Sequence, residues 1–385
     1  MSKVNVVRRC YSCGAILQSK DKTKEGYIDE TFLSASPLDR LLFCSHCYNE
    51  AHYNLLPQEP QVDDDFLLML DDARASDALI VYVVDTISFE GYFSRAISER
   101  VKGLRMLVLA NKRDLMPSSV KDADLAEYVA HRFRVASLPV TKDQVILVSL
   151  TTMGEIKTIA KRIDDERKRH DVYIIGPTGS GKSFFFTAFL RNYSNASGLN
   201  ITTANYPGTN LQVMQIPLDA SAVLYDTPGT SIKNSVIGLV EPDCAHAVQI
   251  HNPLKARHVV LAKGDVLFIG GLAQIELTNP GNSKGGRVDI KAYFSDEVSL
   301  KKAAIRKDLG DAFQKYLAHG QIKPTSHLVR SLKDMDIFDF SIEETGSRDL
   351  GIAGLGWINF VGAEQTFRLY VPKGVSVYGS RCKVK

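Results

Sequence analysis

Hydrophobic positions along this chain fall into two regimes. Ahead of about residue 60 they are scattered among turn-forming residues and cysteines. Beyond it they gather into short apolar runs: ALIVYVVD (78 to 85), MLVLANK (106 to 112), VILVSL (145 to 150), DVYIIG (171 to 176) and AVLYDTPG (222 to 229). Runs of this length, rich in β-branched residues, read as buried strands. Segments with helical spacing lie between several of them, such as EIKTIAKRIDDERKR (155 to 169) and SFFFTAFLRNY (183 to 193). Strands alternating with helices predict an α/β fold whose sheet is mostly parallel, with ligands bound at the carboxyl ends of the strands. From about residue 264 the runs become β-type in succession: GDVLFIGGLAQIEL, RVDIKAYF, LGWINFVG and TFRLYVPKGVSVY. A lysine-bearing helix is expected to interrupt them near 298 to 317. The basic tail SRCKVK reads as a disordered end, and Trp357 as a core residue rather than an RNA-stacking platform.

Composition changes this picture only slightly. The chain has 385 residues, 44% hydrophobic and 24% charged, enough for two or three domains with their own cores. The pattern divides it at 1–60, 61–240 and 241–385. No apolar run approaches the roughly 20 residues that span a bilayer, and the N-terminus lacks a secretory h-region, so a cytoplasmic protein is expected. A zinc pattern starting at Cys10 leaves little room for a transit peptide. The net charge of +3 neither demands nor excludes nucleic acid. Residues 301 to 385 hold 14 Lys/Arg against 9 Asp/Glu, a surplus compatible with RNA phosphate but also with a solvated helix face.

Four of the six cysteines form two C-x-x-C pairs, Cys10 with Cys13 and Cys44 with Cys47. Two such knuckles supply four thiolates for a closed, tetrahedral structural zinc site and leave His46 and His52 no ligand role. Two redox motifs, or unrelated buried cysteines, are the alternatives. Cys244 and Cys382 read as packed residues.

The chemistry sits at predicted strand ends. GPTGSGKS (Gly176, Pro177, Thr178, Gly179, Ser180, Gly181, Lys182, Ser183) fits the phosphate loop G-x-x-x-x-G-K-S/T. Its backbone N–H groups would surround the phosphates at a helix N-terminus, Lys182 would reach the β- and γ-phosphates, and Ser183 would hold magnesium. In DTPG, Asp226 would position the same magnesium through water and the Gly229 amide would sense the γ-phosphate. In NKRD, Asp114 would accept hydrogen bonds from N1–H and the 2-amino group of guanine, leaving a buried Asp114 unpaired against adenine. Asn111 would brace the neighbouring loop, the Lys112 stem would lie over the base, and Ser149 and Leu150 would close its other side. The base-reading motifs precede the phosphate loop and the switch motifs (G4-G5-G1-G2-G3). One sheet containing them all would be a circularly permuted P-loop GTPase domain, an arrangement tolerated where the original termini lie close together.

On these motifs, together with the zinc knuckles, DDDFL (63 to 67), VVD (83 to 85), ITTANYPGTNL (201 to 211), FIGGLA (268 to 273), GLGWI (354 to 358) and VPKGVSVY (371 to 378), the chain resembles the YqeH-type circularly permuted GTPases of ribosome assembly. The resemblance runs nearly end to end. It implies a zinc-binding domain, a permuted GTPase domain using GTP/GDP and magnesium, and a C-terminal strand-rich α+β domain contacting RNA or a partner. The implied role is a GTP-dependent switch in assembly of the small ribosomal subunit. Several residues depart from the family pattern. Gly179 stands where the family carries an Asn that helps bind an activating potassium ion. The second Thr of PGTT, the family's magnesium ligand, is Asn210 here, preceded by Thr209. Thr230 replaces the apolar residue after DTPG, Leu150 a small Ala, and Ser88 an Asp. GTP binding with slow turnover is therefore expected. The alternative is a GTP-dependent scaffold without useful catalysis. An ATPase or kinase would give NKRD no reason to stand at a strand end.

Overall fold

Residues 79 to 85 are apolar at every position but the last because both faces of their strand are covered. The computed structural model describes residues 62–150, 155–197, 202–209, 211–305, 308–343 and 345–384, with parts of 17–45 ahead of them. Within it β1 (Leu79–Asp85), β2 (Arg105–Asn111), β3 (Val145–Leu147), β4 (Val172–Ile175), β5 (Thr202–Asn205), β6 (Gln212–Pro217) and β7 (Val223–Asp226) make one sheet in the order β3-β2-β1-β4-β7-β6-β5. The first five strands in that order are parallel, β6 runs antiparallel to β7, and β5 runs antiparallel to β6. Side chains alternate across the pleat. Ile80, Tyr82 and Val84 meet helices Asp64–Ala75 and Asp122–Val135 through Phe66, Leu70 and Phe133. Leu79, Val81 and Val83 meet helices Ile156–Arg167 and Lys182–Ser197 through Ile159, Ile163 and Phe186.

The helix within DDDFL starts where it does for a local reason. Asp63 accepts a hydrogen bond from the Asp65 N–H (2.8 Å), and Asp64 and Asp65 add acidic charge to the first turn. Phe66, Met69, Leu70 and Ala73 then recur on one face at helical spacing.

The C-terminal half is two five-stranded sheets sharing one core. One has the order β12-β9-β10-β16-β13, from Leu300–Ala304, Asp265–Ile269, Ala273–Asn279, Thr366–Pro372 and Met335–Ser341. The other has the order β17-β14-β15-β11-β8, from Val377–Arg381, Gly346–Ile352, Gly356–Gly362, Arg287–Phe294 and Arg257–Ala262. Ile269, Ile275 and Leu369 on one inner face pack against Ile290, Ile358 and Leu350 on the other. Val236, Val240 and Cys244 join the same core.

Two expectations from the pattern fail here. The helix expected near 298 to 317 is an edge strand, β12, followed by a shorter helix, Leu309–Ala318. Residues 300 to 304 find open backbone partners along β9, and Asp308 starts the helix by accepting from the Asp311 N–H (2.8 Å). The tail is not a loose end. Lys383 is 2% exposed, and its backbone N–H donates to Asp349. A single-strand reading of polarity cannot see that a buried acidic partner awaits a basic tail.

Three expectations about single buried residues agree with the structure. Trp357 is fully buried and stacked on Tyr293 with ring centroids 5.0 Å apart. Cys244 and Cys382 are buried. Of the proposed zinc ligands, Cys10, Cys13 and Cys47 lie outside the described residues; Cys44 is buried beside Leu17, Ile28 and Leu42. Among the described residues no cluster of three or more His, Cys, Asp or Glu is placed to hold a metal, and no helix is long and apolar enough to cross a membrane.

Candidate nucleotide site

The parallel strands bring the motifs to one edge of the sheet. β4 passes directly into the phosphate loop, and glycine is required there by close approach: a Cβ on Gly176, at φ +144°, would stand 2.0 Å from the Val83 carbonyl oxygen on β1. A Cβ on Gly181, at φ +105°, would collide with the Asn111 side chain. The loop therefore closes against the base-reading strand with no side chain between them.

Lys182, Ser183, Thr178, Gly179, Asp226 and Gly229 line a cavity of about 460 Å³, with Phe184, Val213 and Met214 on its apolar side. The Lys182 ammonium donates to the carbonyls of Gly176 (2.7 Å) and Pro177 (2.9 Å). Burial pulls its pKa down to about 8, opposed by the charge of Asp226. Burial likewise pushes Asp226 up to about 6, opposed by Lys182. Each group is thus costly to keep charged here until an opposite charge enters the cavity. Among the described residues Asp226 Oδ1 is buried without a hydrogen-bond partner, as are the hydroxyls of Ser180 and Thr230. An orphaned carboxylate oxygen in the cavity that Ser183 also lines fits a magnesium ion with its water shell.

The base end is assembled across a long stretch of sequence. Asn111 Nδ2 donates to the Ser180 carbonyl (2.9 Å), and its Oδ1 accepts from the Leu150 N–H (3.1 Å). One side chain therefore ties the phosphate loop to the 149–150 loop. The Asp114 N–H donates to Ser149 Oγ (3.0 Å), the Ser149 N–H donates to Glu155, and the Arg113 N–H donates to the Val148 carbonyl. Lys112 adopts the left-handed conformation, φ +65°, with its ammonium 3.5 Å from Asp85. Asp114 is exposed rather than buried, which corrects the expectation of a buried carboxylate at this position.

The switch side is less complete. The Thr209 hydroxyl donates to the Tyr206 carbonyl and accepts from the Leu211 N–H, which holds its own turn, and it does not line the cavity. Asn210 lies outside the described residues. The residue after DTPG closes onto the phosphate loop: the Thr230 N–H donates to the Gly176 carbonyl, and the Thr230 carbonyl accepts from the Thr178 N–H, both at 3.1 Å. That pairing leaves the Thr230 side chain off the cavity wall. Sequence motifs do not mark Glu155, Glu90 or Lys383 as parts of this region. Nothing in their local pattern distinguishes them from ordinary surface charges.

Comparison with known proteins agrees with the geometry. Residues 171–263 match the family described as 50S ribosome-binding GTPase. YqeH of Bacillus subtilis is 29% identical over 97% of this chain and 98% of its own length. The NO-associated protein 1, chloroplastic/mitochondrial, of Arabidopsis thaliana is 26% identical over 91% of this chain and 69% of its own. The small ribosomal subunit biogenesis GTPase RsgA 1 of Bacteroides thetaiotaomicron is 24% identical over 40% and 39%.

Proposed function

We propose, from the premise that this chain is a GTPase of the YqeH type, that it is a guanine-nucleotide switch acting in assembly of the small ribosomal subunit. In this reading the domain is circularly permuted, with Asn111, Lys112 and Asp114 reading guanine before Gly176–Ser183 takes the phosphates. The observation that supports it best is the pair of Asn111 hydrogen bonds. They join the base-reading and phosphate-binding loops, which stand in reversed order along the chain, at the carboxyl ends of the parallel strands of one sheet.

Lys182 would leave the Gly176 and Pro177 carbonyls to meet the phosphates. Ser183 and Asp226 would hold magnesium, whose charge would offset that of the phosphates. The Thr230 pairing with residues 176 to 178 would open when the γ-phosphate claims the Gly229 amide. Among the described residues that line the cavity no glutamine is present to orient the attacking water, so basal turnover is slow and is raised by the ribosomal surface. Cys10, Cys13, Cys44 and Cys47 hold structural zinc, the strand-rich half contacts RNA or a ribosomal protein, and the protein works in the cytoplasm.

The second reading is a GTP-dependent scaffold without useful catalysis, favoured by the withdrawal of the Thr230 side chain and by the absence of Thr209 from the cavity. GTP turnover by the purified chain, with and without small subunits and beside Lys182→Ala, separates the two. Turnover that requires Lys182 and rises with subunits supports the switch. Tight GDP binding with no turnover under either condition supports the scaffold.

A further inference from the structure

The rear of the NKRD loop is not solvated. Met116, Val120 and Leu125 behind it pack with Ile87 against Leu254, Tyr293, Trp357 and Val384 of the strand-rich half. The Leu254 N–H donates to the Leu115 carbonyl (2.9 Å). Within this junction lies an ion pair removed from water: Lys383 Nζ is 2.5 Å from Glu90 Oε1, with both side chains essentially inaccessible. Tyr128 also donates to that Glu90 oxygen (2.8 Å), and the ammonium lies 4.3 Å from the Trp357 ring centroid.

A buried pair of this kind contributes little net stability, yet removing one partner strands the other's charge. Its remaining hydrogen bond shows what else it does. The same ammonium donates to the Ile87 carbonyl (3.0 Å). The N–H groups of Ile87 and Ser88 donate to Asp85 Oδ1 (3.0 and 2.7 Å), and Asp85 Oδ2 faces the Lys112 ammonium. Thr86 adds a second tie, its hydroxyl donating to the Lys112 carbonyl (3.2 Å) and its N–H to the Asn111 carbonyl (2.9 Å).

We infer that Lys383, two residues beyond β17, is a positioning residue of the guanine site: it pins the 86–90 turn so that Asp85 and Thr86 hold Lys112 in its left-handed conformation. The C-terminal tail is thereby part of base recognition, though it touches no nucleotide. Because coupling is reciprocal, guanine binding and the seating of the strand-rich half against the GTPase half share one free energy. A partner that draws the strand-rich half away weakens guanine binding, and a bound guanine resists that displacement.

The inference rests on the guanine-nucleotide reading above, and the test keeps the two apart. In the full chain, Lys383→Met with Glu90→Gln removes both charges together, so neither is left stranded. GDP affinity by calorimetry is expected to fall roughly 2- to 30-fold, the range typical of residues that act on a ligand through others. Affinity for inorganic tripolyphosphate, which needs only the phosphate loop, is expected to stay unchanged, and Lys383→Arg is expected to restore much of the GDP affinity. Equal loss for both ligands, or unchanged GDP binding by the folded double variant, overturns the inference. Trp357 is the chain's only tryptophan and needs no variant. In the unaltered protein GDP is expected to shift its emission while tripolyphosphate does not, and an emission indifferent to bound GDP also overturns it. Binding of tripolyphosphate without binding of GDP by the unaltered protein overturns the guanine reading itself.

Discussion

Glycines in one loop can look alike in sequence and differ wholly in what they permit. Gly176 stands where a Cβ would meet backbone, in a φ region that is almost exclusive to glycine, whereas Gly179, at φ +81°, has nothing within 4 Å of the added Cβ. Gly176→Ala is therefore expected to cost more than the roughly 1–3 kcal/mol of backbone strain and to abolish nucleotide binding. Gly179→Asn should cost less than about 1 kcal/mol, because Asn adopts the left-handed region readily. Thermal unfolding with GDP titration separates the two variants. The Asn variant also restores the family's residue, so a gain of potassium-stimulated turnover is the expected functional outcome. That the motif needs glycines was legible from its sequence. That the first one is demanded by Val83, far away in the chain, was not, because the contact exists only once β1 and β4 pair.

At the scale of elements, the helix after the phosphate loop shows how one run serves two surfaces. SFFFTAFL reads as an apolar stretch, and its helical spacing turns Phe185, Phe186 and Phe189 into the core while Phe184, 49% exposed, faces the cavity. Phe185→Ala should destabilise the fold by about 3–5 kcal/mol through the cavity it leaves. Phe184→Ala should change stability by less than about 0.5 kcal/mol in denaturant unfolding. Any effect of Phe184→Ala should appear instead in GTP turnover. Strands with uniform apolar runs were recognisable for the same reason, since burial on both faces removes polar positions altogether. The edge strand β12 does not read as a strand because LKKAA carries no such signature. Its identity comes from an open partner in β9.

Across the whole molecule, the junction between the two halves carries a titratable carboxyl. Asp349 is buried there, and burial pushes its pKa up to about 7, opposed by hydrogen bonds from the Lys383 N–H and Asn359 and by the Lys383 charge. The sign follows from the proton balance. Between the ordinary value of 3.8 and about 7 the folded chain binds more protons than the unfolded one, so stability falls as pH rises through that window, and the full cost is present above it. Going from about pH 5 to about pH 8, the melting temperature of the unaltered protein should fall relative to that of Asp349→Asn by at least about 2 °C. An unchanged difference between the two proteins would show that the group does not titrate there.

By itself the sequence determined the local pattern: which segments bury both faces, where a glycine-rich loop must bend, and which residues are candidates to meet a nucleotide. These are set by residue type and spacing over a few positions, where covalent geometry and hydrophobic periodicity act directly. Tertiary structure alone decided what the motifs rest on. Asn111 bonds to Ser180, Thr230 closes on residues 176 to 178, and Lys383 reaches across the chain to Ile87 and Glu90. Such contacts depend on strand order and on how two cores meet, and a lysine in a basic tail reads as solvated until the acid that receives it has been buried by the rest of the fold.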